Sequence, residues 1–409
     1  MNIIYFLKNV YHSIRRRYHS AKEPYLYYLY TKVYTPYKVR KMRNKKCIKV
    51  VFVITEVGVW KTEQLYLEML RHPRFNPILL VLPSNENDKA FDEVIAFLQN
   101  KGYDYATLSR NETIQKKLKP DIIFYQKPYW GAIDNSFYYR SNFSSLFCYA
   151  NYGFHSIMKD WAINQDILNY AWLVFYENDS CAAEARSLLN NEGRNIIVTG
   201  LPMSDELIAV SKRTKMQKYK KTIIWAPHHT IPQEGNWLDY STFLEYADYM
   251  IEIAEKYKDE VDFIFKPHPL LQPKLRKLWG EAQTMAYYKQ WETMPNTRLE
   301  LGKYLDLFAE SDAMIHDCGS FTIEYLYFNK PVMYLTNGME HEANMAEFAK
   351  EAYHMHYFGN SRQCIDTFIK DVIVGNDPML QVREEYISKH LQIPNHRTAC
   401  ENIIDAILG

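Results

Sequence analysis

The chain has 409 residues, 47% of them hydrophobic and 24% charged, which is ample core material for two packed domains and excludes a disordered or collagen-like polymer. Lys plus Arg total 49 against 48 Asp plus Glu, a net charge of +1, so a global polyanion-binding surface is excluded and no nucleic-acid partner is expected. The six cysteines (Cys47, Cys148, Cys181, Cys318, Cys364, Cys400) show no CxxC pair and no Cys/His cluster at zinc-ligand spacing, which argues against a disulfide framework or structural zinc and for a reducing cytoplasm.

The balanced total hides a gradient. Residues 1–49 hold thirteen Lys/Arg against Glu23 alone, with nine tyrosines before residue 40. Segment 3–40 interleaves Ile3, Ile4, Phe6, Leu7, Ile14 and these tyrosines with basic residues, the composition of an interfacial amphipathic helix lying on an anionic membrane. A basic helix packed on its own domain and a nucleic-acid-binding arm are the alternatives. The short apolar start is followed by Arg15, Arg16 and Arg17, the reverse of a signal peptide, and no window of 18 apolar residues exists to span a bilayer. The expected location is cytoplasmic, peripheral on the inner face of the plasma membrane.

From residue 47 the texture becomes short β-branched runs alternating with helix-period stretches. Strands are expected at 48–54, 78–82, 121–125, 146–150, 173–176 and 196–199, with helices at 61–70, 88–100 and 179–190. Gly200-Leu201-Pro202 closes that series, and the polar stretch 211–221 reads as a linker. Alternation restarts with strands at 222–226, 261–266, 313–316 and 332–335 and helices at 241–257, 303–310 and 320–328. The predicted architecture is α/β, two Rossmann-like domains at 47–210 and 221–380, each a mostly parallel sheet covered on both faces, behind a basic membrane-associating segment, 1–46. Segment 381–409 looks helical and is expected to cross back to the first domain.

Ligands of open parallel sheets sit at the carboxyl ends of the strands. The residues there in the second half are Ala226-Pro227-His228-His229, Lys266-Pro267-His268-Pro269 and His316-Asp317-Cys318-Gly319-Ser320, the last opening a helix that carries Glu324. Gly319 permits close backbone approach, Ser320 is a natural N-cap hydroxyl and the helix start favours a phosphate. Glu324, four residues on, shares the face of Ser320 and is placed to accept from a ribose. Lys266 and His268 can offset charge on a leaving diphosphate. His228, His268 and His316 are expected to converge on one rim. A zinc site is the competing reading, disfavoured by three separate loops without paired spacing, and no metal is expected. In the first half, His155 follows a strand and is the best general base for an acceptor hydroxyl. Glu56, Gly58 and Trp60 form the other plausible cleft loop, with Gly153 beside His155.

The run 311–320 (SDAMIHDCGS), then Glu324-Tyr325 and Lys330-Pro331-Val332, resembles the signature of the CDP-glycerol glycerophosphotransferase family, the teichoic-acid primases and polymerases. His268-Pro269 is similar to the His-Pro element which that family and CMP-sugar transferases place near the phosphates of a cytidine nucleotide. The resemblance covers 220–340 well and the first half in outline. It departs at Tyr152-Gly153-Phe154-His155, where the family usually has a His-Gly-Thr-type motif, so the histidine is displaced past the glycine. It implies a GT-B-type fold with a central cleft and a CDP-linked donor bound by Lys266, His228, Asp317, Gly319, Ser320 and Glu324. A glycan or lipid-linked acceptor enters past Glu56, Gly58 and Gly153, and His155 and His268 are catalytic. The implied activity is transfer of glycerol phosphate or a similar polyol phosphate in bacterial cell-surface polymer synthesis, with no cofactor required. The alternatives are a GT-B glycosyltransferase using a CMP- or UDP-sugar, and a non-catalytic scaffold of a capsule-assembly complex.

Overall fold

A computed structural model describes residues 25–409 apart from 110–111, 214–218, 232–239, 303 and 339–340. Residues 1–24 of the basic segment and the middle of the expected linker therefore lie outside the described residues.

The first domain is built on β1 (Ile48–Ile54), β2 (Phe75–Val81), β3 (Tyr105–Thr107), β4 (Ile122–Phe124), β5 (Leu146–Ala150), β6 (Leu173–Tyr176) and β7 (Ile196–Val198), in the order β3-β2-β1-β4-β5-β6-β7. The second is built on β8 (Lys221–Ala226), β9 (Val261–Phe265), β10 (Thr297–Leu299), β11 (Ala313–His316), β12 (Val332–Leu335) and β13 (Tyr357–Gly359), in the order β10-β9-β8-β11-β12-β13. Every pairing in both sheets is parallel. These are the two facing α/β domains of the GT-B type. The β-branched run of β1 is buried on both faces, as a helix-covered parallel strand requires. Val51 and Val53 join a core continuous with residues of the second domain, whereas Val50 and Phe52 join the core on the opposite face.

The edge strands β3, β10 and β13, three residues each, escape the hydrophobic pattern because none is a continuous buried run. The stretch 320–328 is an α-turn, Phe321–Glu324, continued as a 3₁₀ turn, Tyr325–Phe328, and stopped by left-handed Asn329 at φ 48°. The C-terminal segment is two helices, Leu380–His390 and Ala399–Leu408.

The helical segment 25–43 packs on its own domain through one side. Tyr30 is buried against Phe143, Phe147 and Tyr170 and donates its hydroxyl to the Ser145 carbonyl at 2.7 Å. Just before Pro36, residues Leu29–Tyr34 widen into a π-helix, a form in which the helix bypasses the N–H that proline lacks. Its outward side leaves Tyr25, Leu29, Val33 and Tyr37 exposed.

The last helix closes the chain onto the first domain, with Cys400, Ile403 and Ile407 buried beside Met42, Leu65 and Tyr66. Both its ends are held. Thr398 and Glu401 form a capping box, and the Asp205 carboxylate accepts from the N–H groups of Ala399 at 2.7 Å and Cys400 at 2.9 Å. At the other end Arg43 donates to the carbonyls of Ile407 and Ala406. Gly200 turns the chain beneath it at φ +80°, where a Cβ would meet Ala399 at 3.0 Å. Replacing Asp205 by Ala strips two helix-terminal donors of their acceptor and is expected to lower stability by about 1–2 kcal/mol, read as a lower urea midpoint with unchanged far-UV circular dichroism.

Candidate functional site

Strand order reverses between β1 and β4 in the first sheet and between β8 and β11 in the second, the crevices where parallel sheets bind ligands. At the second, His316 pairs with Ala226 and Trp225 with Phe265, so the loops after β8, β9 and β11 leave the sheet side by side. One carboxylate ties them. Asp317, 1% exposed, accepts from the N–H of His228 and from the N–H and hydroxyl of Thr242. Burial pushes its carboxyl up to about 6 against these donors. Asp317 thus positions the loop after β8 and faces protein donors on both oxygens, a role different from the ligand contact expected of it.

The loop carries His228 and the unforeseen His229 to His268, with ring centroids 4.3–5.2 Å apart. One nitrogen of each ring lies within 4.8 Å of the others, close enough to share a cation. Their hydrogen bonds favour a different ligand. The Lys274 ammonium can only donate, and it lies 3.0 Å from Nδ1 of His229. The Leu270 N–H donates to Nδ1 of His268 at 3.1 Å. Thr230 Oγ1 already accepts from Tyr240 and Ser241 N–H, so its own proton goes to Nδ1 of His228 at 3.0 Å. With every Nδ1 accepting, each neutral ring carries its proton on Nε2. Three N–H donors in one cluster suit an anion, whereas a metal ion requires bare lone pairs.

Lys266 lies beside them at the end of β9, 5% exposed. Burial lowers its pKa, with Glu300 and Cys318 acting the other way, and its ammonium has no hydrogen-bonded or salt-bridged partner among the described residues. A buried cation with no direct acceptor, drawn only through space by Glu300, is an unfavourable arrangement that a bound anion relieves. The same burial, with the neighbouring cations, drives the imidazoles down to about 2 for His228, 4 for His229 and 3 for His268.

Ser320 is exposed and its side chain makes no capping hydrogen bond, which corrects the expected N-cap; the hydroxyl is open to a ligand. The helix it opens is four α residues continued as a 3₁₀ turn, so the dipole at the expected phosphate-binding start is that of a short helix. Gly319 has a negative φ, and a Cβ on it would meet nothing within 4 Å. His316 does not converge with the other histidines. It is fully buried against Tyr334 and His356, with Nδ1 accepting from Cys318 N–H. Glu324 is 3% exposed, and its carboxyl is raised by burial against the pull of Lys61, which donates to Tyr304 at 3.1 Å. It therefore sits in the contact between domains, with Oε2 making no hydrogen bond among the described residues.

In the first domain, His155 meets Glu177, a residue the sequence reading missed. Glu177 Oε1 accepts from the His155 N–H and Oε2 from the ring Nδ1–H, both at 2.7 Å. The ring stacks on Tyr176 at 4.4 Å. Burial raises the Glu177 carboxyl, but His155 outweighs it and holds the pKa below the ordinary value, so the pair is a carboxylate that fixes the orientation of the His155 ring through its Nδ1–H. Tyr149 and Asn151 brace the turn at Gly153. The loop abuts the second domain: Phe154 stacks on Tyr327 at 5.7 Å, and Ser156 accepts from Ala346 N–H at 3.1 Å. Of the other cleft loop, Gly58 is exposed and Glu56 is tied to Lys127 and Ser84. Trp60 is 6% exposed in the packing with Tyr66, Phe97 and Tyr103, so it does not line the cleft.

A model of the CDP-Glycerol:Poly(glycerophosphate) glycerophosphotransferase family matches residues 175–408. The wall teichoic acid polymerase TagF superposes with a TM-score of 0.59 at 13% identity, covering 100% of this chain and 97% of that one. TagF soaked with CDPG gives 0.57 at 12%, covering 100% and 98%. UDP-GlcNAc 2-epimerase from Neisseria meningitidis bound to UDP-GlcNAc gives 0.54 at 16%, covering 88% and 99%. No curated protein matches the chain.

The buried imidazoles carry a pH signature. Their folded pKa values lie below the ordinary 6.5, so the stability associated with their neutral forms is present above that pH. It is lost as pH falls toward about 4, because the unfolded chain takes up protons that the folded chain refuses. A His229→Gln/His268→Gln variant is expected to lose melting temperature less steeply than wild type across that window. The difference isolates the rings from Asp317, whose raised pKa acts in the opposite direction; parallel curves would show that the rings protonate in place.

Proposed function

The chain belongs to the CDP-glycerol:poly(glycerophosphate) glycerophosphotransferase family, and from that premise we propose that it moves glycerol phosphate, or a similar polyol phosphate, from a CDP-linked donor to a hydroxyl of a glycan or lipid-linked acceptor in bacterial cell-surface polymer synthesis. The observation that carries the reading is the buried Lys266 ammonium, with no hydrogen-bonded acceptor among the described residues, beside three imidazoles held as Nε2–H donors at the second switch point. That group matches a diphosphate in charge and in hydrogen-bond sense.

His155 takes the proton from the acceptor hydroxyl through Nε2 as that oxygen attacks the β-phosphorus. Glu177 is its positioning residue, fixing the tautomer and stabilising the imidazolium that forms. One phosphorus–oxygen bond forms to the acceptor, the bond to CMP breaks, and the electron pair leaves with CMP. Lys266, His228, His229, His268 and the open Ser320 hydroxyl hold the departing phosphate. Positioning and charge stabilisation supply most of the acceleration in phosphoryl transfer, so this reading requires no cofactor and no metal.

No helix among the described residues is long and apolar enough to cross a membrane. The exposed row Tyr25, Leu29, Val33 and Tyr37, set among Lys32, Arg40 and Lys41, supports a peripheral seat on the anionic cytoplasmic face of the plasma membrane, where lipid-linked acceptors are available.

The test is CMP release from CDP-glycerol in the presence of a glycerol-phosphate-primed lipid acceptor. His155→Ala is expected to reduce kcat by about 10²- to 10⁴-fold, and Glu177→Gln to reduce it with a shifted pH profile while KM for the donor stays near wild type. Unchanged rates in both variants would remove the general-base assignment. In a thermal-shift panel, cytidine nucleotides are expected to stabilise the protein more than uridine nucleotides. A uridine preference would favour the sugar-transfer alternative, and no turnover by a folded protein would favour the scaffold.

A further inference from the structure

A pocket of about 710 Å³ opens on the first domain between the helical segment 25–43 and the starts of β6 and β7. It is separate from the cleft. Ala171 and Trp172 precede β6 and Asn195 precedes β7, whereas His155 and Glu177 follow the far ends of β5 and β6, a strand length of about 13 Å away.

Its wall carries Lys32, Arg40, Arg43 and Arg194 and no acidic residue. Arg194 is paired with Glu192 at 2.6 Å, and Arg43 is turned to the Ile407 and Ala406 carbonyls. Lys32 and Arg40 have no acceptor among the described residues. The floor is preformed: Asn191 donates to Asn195 at 2.9 Å, and Asn195 donates to the Ala171 carbonyl at 2.8 Å. A concave wall of one charge sign concentrates counter-ions, and a rigid floor reduces the ordering needed on binding.

We propose that this pocket binds the phosphate of an anionic phospholipid headgroup through Lys32 and Arg40. It is the headgroup site for the peripheral seat proposed above and rests on that reading. A lipid fits better than a soluble phosphate ester because the same helix exposes Tyr25, Leu29, Val33 and Tyr37, a row suited to the acyl region next to a bound headgroup. The bound phosphate and the cleft then lie at opposite ends of the first sheet, so the site anchors the enzyme without occupying its acceptor path.

The test uses the full chain with three probes: phosphatidylcholine vesicles with and without phosphatidylglycerol, short-chain dihexanoyl phosphatidylglycerol below its micelle concentration, and glycerol 1-phosphate. Lys32→Ala/Arg40→Ala is expected to weaken binding to phosphatidylglycerol vesicles roughly tenfold or more and to abolish binding of the short-chain lipid. The charge-matched control Lys41→Ala/Lys46→Ala, outside the pocket, is expected to keep the short-chain lipid. Wild-type lipid binding by the pocket variant, or equal loss in both variants, would overturn the site. Glycerol 1-phosphate, or a soluble glycerol-phosphate oligomer, binding as tightly as the short-chain lipid would overturn the lipid assignment. CMP release with a soluble acceptor is expected to be unchanged by either pair, so failure of the pocket is read independently of failure of the transferase reading.

Discussion

Parallel pairing within both sheets is the constraint from which the site follows. When neighbouring strands run the same way, the loops that follow them emerge on one rim, and where strand order reverses two such loops diverge and leave a crevice. Residues far apart in the chain, at 228–229, 266–268 and 317–320, thereby become neighbours. The Asp317 carboxylate completes the arrangement by drawing the loop after β8 and the Thr242 turn onto the end of β11. Its two oxygens satisfy three protein donors, so a charged group buried at the crevice floor acts as a strut.

The electrostatic state of the crevice is set by hydrogen bonds as much as by charge. A free imidazole offers a donor or an acceptor according to its tautomer. Here Lys274, Leu270 N–H and the Thr230 hydroxyl all donate to Nδ1, which turns three adaptable rings into three donors. Burial and the repulsion of neighbouring cations keep the rings neutral, leaving the positive charge to Lys266 and Lys274. In the first domain Glu177 accepts from Nδ1–H of His155, so there the partner of Nδ1 is an acceptor. The same residue type thus meets donors at Nδ1 in one domain and a carboxylate at Nδ1 in the other.

The two halves are coupled where those loops meet. Phe154 on Tyr327 and Ser156 with Ala346 join the His155 loop to the second domain, and Lys61 reaches Tyr304 beside Glu324. Glu324 is held at that contact by residues of both domains, which explains how an acid on a short helical turn comes to be buried. The last helix crosses back to the first domain and is fastened at each end by Asp205 and Arg43, so the domains are linked at the rear as well as across the cleft.

Long buried strands were legible because fully covered parallel strands are written as β-branched runs: β1, β5, β6, β11 and β12 lie where the pattern places them. The residues just past them, His155, Lys266, His228 and His268, were legible for the same reason, since strand ends locate crevices. The edge strands β3, β10 and β13 were not, being too brief and too mixed in polarity to leave a period. Chemical type and order along the chain by themselves determined the two-domain parallel architecture and which loops carry reactive groups. Only the tertiary structure decided which of those groups face one another: that His229 and not His316 joins the cluster, that Glu177 serves His155, and that Trp60 and Glu324 turn inward. A side chain's direction and tautomer depend on partners tens to hundreds of residues away, and those partners become neighbours only when the sheets are formed.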